Sequence, residues 1–132
     1  LYPLDRVFLE KGELLLSLSR EEPGYVTHAV AAYRAALSLN PYLPRAYRRL
    51  ANIALEAGDL REAEKMYLNL HRSYPAKQEF CLEIALFYRR LGRQEESARF
   101  VQCANACRPV SIEEDARVRM LRKQLEEDGT NR

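Results

Sequence analysis

Prolines at 41, 75 and 109 stand 34 residues apart, and glycines at 24, 58 and 92 keep the same interval. Three of the five glycines and three of the six prolines therefore fall on one lattice, which scattered turns would not produce. A fixed period of this length restricts the chain to stacked copies of one small supersecondary unit. The side chains between the markers repeat as well. Leu16, Leu50 and Ile84 share one position, and Ala29, Ala63 and Ser97 another. Tyr33, Tyr67 and Val101 share a third, and Ala36, Leu70 and Ala104 a fourth.

Each unit holds two apolar-periodic segments of about a dozen residues, split by the glycine and closed by the proline. Glycine suits a tight helix–helix turn because it accepts φ > 0. Proline has no N–H to continue a helical ladder and biases its predecessor away from the helical region. Ala, Leu, Glu and Arg dominate, with few β-branched residues, so the fold class is all-α. Alternating small and large apolar positions let neighbouring helices approach and interlock.

The middle unit carries the pattern most fully, with Tyr47, Leu50-Ala51, Ala54, Gly58, Ala63, Tyr67, Leu70 and Pro75. Here the chain resembles the tetratricopeptide repeat family. The third unit follows with Cys81, Ile84-Ala85, Tyr88, Gly92, Ser97, Val101, Ala104 and Pro109. The first fits only at Leu16 in its first helix, but well in its second through Ala29, Tyr33, Ala36 and Pro41. The match spans about three quarters of the chain.

The resemblance implies a right-handed α–α superhelix, a solenoid of three helix–turn–helix repeats at 10–43, 44–77 and 78–111, in a single domain covering 1–132. Residues 1–9 extend the first helix upstream, with Asp5 as its N-cap. Ser111 and Glu114 have capping-box spacing, so a C-terminal helix runs over 112–127, stopped by Asp128-Gly129, with 128–132 as a tail. Its stripe of Val118, Leu121 and Leu125 suits a cap that shields the last repeat, chiefly around Val101 and Ala104. Tyr47, Leu50, Ala51, Ala63, Tyr67, Ile84, Ala85 and Ala104 are expected to be buried. The chain opens on Leu1 rather than Met, which reads as a processed or excised piece.

Several functional classes find no support. The net charge of +2 is too small to argue for nucleic acid by itself. No apolar run approaches the roughly 18 residues of a membrane span. The three cysteines, Cys81, Cys103 and Cys107, lack a disulfide-framework spacing and read as small thiols in a reducing cytoplasm. Cys103 and Cys107, four apart on one helix, rarely suit a disulfide and offer two metal ligands at most. His28 and His71 occupy non-equivalent repeat positions, and no phosphate loop, dinucleotide fingerprint or nucleophile elbow occurs. The expectation is a non-enzymatic protein with no cofactor and no metal.

The family geometry places the first helix of each repeat on the concave side. The expected groove takes Leu14 and Leu18, with Lys11 and Leu15, from the first unit. Arg45, Arg48, Arg49 and Asn52 come from the second, and Glu79, Leu82, Glu83, Leu86 and Arg89 from the third. The arginine stripe calls for an acidic segment opposite, supplied by a partner or by Glu79 and Glu83. The family's clamp for heat-shock chaperone carboxylate tails needs Lys, Asn and Arg where this chain has Leu14, Leu18, Arg49, Glu79 and Glu83. That partner is excluded. The expected function is a protein–protein scaffold or adaptor that takes a peptide or helix, in a monomer or weak homo-oligomer. The alternatives are RNA binding through Arg45, Arg48, Arg49, Arg89, Arg90 and Arg93, or a regulatory arm of a larger enzyme.

Overall fold

The structure is a computed structural model that describes residues 3–108 and 111–130. Among these residues it is all-helical: α1 (Leu4–Leu18), α2 (Tyr25–Leu39), α3 (Pro44–Glu56), α4 (Leu60–Ser73), α5 (Gln78–Arg90), α6 (Gln94–Asn105) and α7 (Ile112–Thr130). The chain divides into two compact units, Leu1–Ser73 and Tyr74–Arg132. In the first, α1 packs on α2, α3 on α4, and α2 also meets α3. In the second, α5 packs on α6 and on α7. Pro109 of the lattice and the ends of the chain, 1–2 and 131–132, lie outside the described residues.

The turn chemistry explains two of the three hairpins. Gly58 and Gly92 have φ of +79° and +80°. Each sits in a helix stop where the next residue's N–H reaches five residues back, Asp59 to Ala54 and Arg93 to Tyr88. This closes the orphan carbonyls of α3 and α5 in the same way. Asp59 then starts α4, its carboxylate accepting the N–H of Glu62 at 3.2 Å. Gly24 departs from its expected role. Its φ is −59°, at the start of α2 rather than at a left-handed stop. The α1–α2 connection is longer and carries Pro23, so no residue there has to adopt positive φ.

Helix ends differ from expectation in two further places. Asp5 is not the N-cap of α1; Pro3 holds that place and the helix starts at Leu4. Asp5 sits in the first turn, where its carboxylate accepts a hydrogen bond from Asn40 Nδ2 at 3.0 Å. That bond holds the Asp5 carboxyl below its ordinary range. At the other end, Ser111 Oγ accepts the Glu114 N–H at 3.0 Å, as the capping box requires. However, α7 continues through Asp128 and Gly129 instead of stopping at Glu127. Arg90 holds Asp128 at 3.2 Å, and one interior glycine costs a helix only about 1 kcal/mol.

Burial follows the small–large alternation. Tyr47, Leu50, Ala51, Ala63, Ile84, Ala85 and Ala104 are buried, whereas Tyr67 is half-buried. Ser97, standing where the other repeats have Ala29 and Ala63, donates its hydroxyl to the Ala85 carbonyl at 2.8 Å. The polar substitute is thus satisfied inside the α5–α6 seam. Pro41 and Pro75 act through their carbonyls. Tyr47 Oη donates to Pro41 O at 2.9 Å, and the equivalent Cys81 Sγ faces Pro75 O at 3.9 Å. In the second unit, α7 lays Val118, Leu121 and Leu125 on a core of Cys81, Leu82, Ala85 and Leu86 from α5 with Ala104 from α6. The capping stripe therefore lands mainly on α5, and Val101 is only half-buried beside it.

Candidate functional site

The expected groove residues fall into three environments, one for each repeat. On α1, Leu4, Val7, Leu14 and Leu18 recur at helical spacing and form one exposed apolar stripe. Lys11 lies exposed in the same row. Leu9 and Gly12, on the opposite face, are buried. Gly12 is required there, since an added Cβ would stand 2.8 Å from the Tyr33 ring. A bulkier residue would displace that buried ring and tilt α1 away from α2.

On α3, the arginine stripe is partly neutralised within the first unit. Arg49 Nε donates to Glu13 Oε1 of α1 at 3.0 Å. The carboxylate raises the Arg49 pKa further, and burial, helped by the Glu13 charge, pushes the Tyr33 phenol above its ordinary value. The internal acidic partner of Arg49 is therefore Glu13, a residue outside the expected set. Arg45 and Asn52 are exposed, and Arg48 is half-buried. Arg45 also borders a shallow cleft of about 360 Å³ with Arg6, Leu9, Glu10, Leu43 and Pro44.

On α5 the expected open face is closed by the chain itself. Leu82 and Leu86 are 0% and 6% exposed beneath α7. Glu79 is buried too, paired with Arg117 Nε at 2.6 Å. Glu83 and Arg89 are half-buried. The Glu79–Arg117 pair joins the starts of α5 and α7, while Arg90–Asp128 joins their ends, so the two helices run parallel. As folded, Glu79, Leu82 and Leu86 lie inside the core rather than on a surface open to a partner. Apolar periodicity marked them as needing cover but could not say that α7 supplies it.

Leu14 and Leu18 correspond to Leu82 and Leu86 on the lattice. The first pair is 62% and 41% exposed, the second is buried by an amphipathic helix. Lys11 corresponds to Glu79, the residue that fixes α7 through Arg117. The α1 face thus has the apolar shape that accepts a helix on α5, with the charge at its edge reversed.

The approach of Cys81 on α5 to Cys103 on α6, sulfur to sulfur at 3.1 Å, is also outside the expected set. A signal was present. Both cysteines lie eleven residues from Gly92, on either side of the turn, so an antiparallel hairpin brings them level. His28 is exposed and tilted against Tyr25, and burial holds the half-buried His71 below its ordinary pKa. No helix among the described residues is long and apolar enough to cross a membrane. Compared with known proteins, the chain matches no family model, and no curated protein matches it.

Proposed function

We propose that this chain is a protein-interaction module built from three tetratricopeptide-type repeats, and that it receives an amphipathic helix of a partner protein along α1. The observation that carries the reading is the uncovered Leu14–Leu18 face beside its covered equivalent, Leu82–Leu86. Exposed apolar rows of this kind are costly unless something docks on them. The chain's own solution on α5 supplies the template. Three aliphatic residues at i, i+3 and i+7 cover the leucines, and a charged residue just before the first pairs at the edge. On α1 the edge residue is Lys11, so the matching partner residue is acidic. Arg45, exposed at the start of α3, favours the same sign. The concave placement of α1 in a right-handed superhelix belongs to this proposal and rests on the repeat pattern.

A synthetic helix tests it directly. The probe is a peptide of residues 111–128 carrying Arg117→Glu, titrated into the full chain and followed by amide chemical shifts. The substitution disfavours the peptide's own native seat beside Glu79 and favours Lys11. Perturbations should centre on Leu14 and Leu18. Leu14→Ser with Leu18→Ser should weaken binding by about tenfold or more, because each buried leucine contributes about 2 kcal/mol. Lys11→Glu should shift preference to the peptide that keeps Arg117. Shifts that avoid α1, or variants that bind like the parent, would overturn the assignment of this face.

A further inference from the structure

The second unit contains a pair of thiols that the interaction surface does not use. All three cysteines are thiols, and Cys81 and Cys103 face each other at 3.1 Å, about 1 Å beyond a disulfide bond of about 2.05 Å. We infer that Cys81 and Cys103 are a site of oxidative modification, closing to an intrachain disulfide that staples the open end of the α5–α6 hairpin.

The fold prepares this bond from several directions. The hairpin is closed at one end by the Gly92 turn, and the cysteines lie at the other, level across the pair. Gln78 Nε2 donates to the Ala104 carbonyl at 3.1 Å, fixing the register of the two helices at that level. Both sulfurs also face the Pro75 carbonyl at 3.9 Å, so the two side chains converge on one point. Closing the bond takes a sulfur movement of about 1 Å. The third cysteine lies at the edge of the pair: Cys107 Sγ donates to the Cys103 carbonyl at 3.2 Å, and its thiol also interacts with those of Cys81 and Cys103.

The two sulfurs divide the chemistry by exposure. Cys103 is half-exposed and meets the oxidant, whereas Cys81 is fully buried. With a peroxide, the Cys103 thiolate attacks one oxygen, the O–O bond breaks, and hydroxide leaves to take up a proton. The resulting sulfenic acid is then attacked by the Cys81 sulfur. The S–S bond forms as the S–O bond breaks, and the Cys81 proton departs with the hydroxyl as water. Two electrons pass from the two thiols to one peroxide. Burial and the hydrogen bond to Cys103 push the Cys81 thiol up, which keeps it protonated until its neighbour is oxidised.

The full chain treated with hydrogen peroxide tests the inference. Wild type should lose two of its three thiols. Trypsin without reductant should then release residues 78–89 linked to residues 100–117. Cys103 and Cys107 share the second peptide, so the Cys107→Ser variant resolves the linkage: it should lose both remaining thiols and keep the cross-link. Cys103→Ser should cross-link these peptides far more slowly than Cys107→Ser does. Oxidised Cys107→Ser should also unfold about 5 °C or more above its reduced form, because the staple joins residues already in place. A loop confined within 100–117, retention of both thiols in Cys107→Ser, or a lower Tm on oxidation would each overturn the assignment.

Discussion

Gly58 and Gly24 hold the same place in the repeat, but they differ in backbone and so in what they tolerate. Gly58, at φ +79°, occupies the left-handed region, where an L side chain meets its own carbonyl. Space is not the constraint, since nothing lies within 4 Å of an added Cβ at either glycine. Gly58→Ala should therefore destabilise by about 1 kcal/mol or slightly more through conformation alone. Gly24→Ala should be neutral or stabilise by a few tenths, since it removes only unfolded-state freedom. Urea denaturation of the two variants side by side measures the difference; equal losses would refute it. Arg49 gives the same warning about equivalence. The sequence marks it as one arginine of an exposed stripe, but it is half-buried against Glu13. Reversing it to Glu would place two carboxylates together and unsettle the α1–α3 contact. Arg45, exposed, is the residue at which reversal probes binding without that cost.

At the scale of elements, α7 is what makes the second unit close. Most of its surface is charged, and Val118, Leu121 and Leu125 carry the contact with α5. Each buried aliphatic side chain contributes about 2 kcal/mol, so the three together match a large part of a typical domain stability of about 5–15 kcal/mol. Removing residues 112–132 should uncover Leu82 and Leu86 and take Arg117 away from Glu79. Hydrogen exchange should then accelerate along α5 first, with self-association in sedimentation as its apolar face opens. Unchanged α5 protection in a monomeric truncated chain would reduce α7 to a passenger. How much of this could be read beforehand follows from what periodicity encodes. The 34-residue lattice marked both tight turns and the hairpins they join, and the capping stripe stood out in the polarity of the last helix, because these depend on φ, on spacing and on local polarity. It could not tell that Leu82 and Leu86 are covered while Leu14 and Leu18 are open. The four leucines are identical in pattern, and only the later helix α7 distinguishes them. The α1–α2 connection was obscured for a related reason: Gly24 sits on the lattice, but the neighbouring Pro23 and the longer loop remove the need for its special conformation.

For the whole molecule, the near balance of 21 basic and 19 acidic side chains leaves a net charge of only +2. Global charge repulsion is therefore weak at neutral pH, and the first losses on acidification come from single groups. His71 is the group placed to act first. It is half-buried in α4, and burial lowers its pKa from the ordinary value of 6.5. The unfolded chain then binds more protons at this site than the folded one as pH falls through that range. Stability must drop with falling pH, since it rises with pH wherever the unfolded state holds the extra proton. The loss starts near pH 6.5 and levels off below the folded value. Asp5 and Glu96 add a separate loss of the same sign, but their lowered carboxyl pKa values confine it to more acid solution, below the ordinary carboxylate range. Chemical denaturation at pH 7.5, 6.5 and 5.5 should thus show a decline that His71→Gln removes, while the steeper fall below about pH 4 stays in both chains. A His71→Gln variant that keeps the upper decline would transfer it to another group and show that imidazole burial does not control the molecule near neutrality.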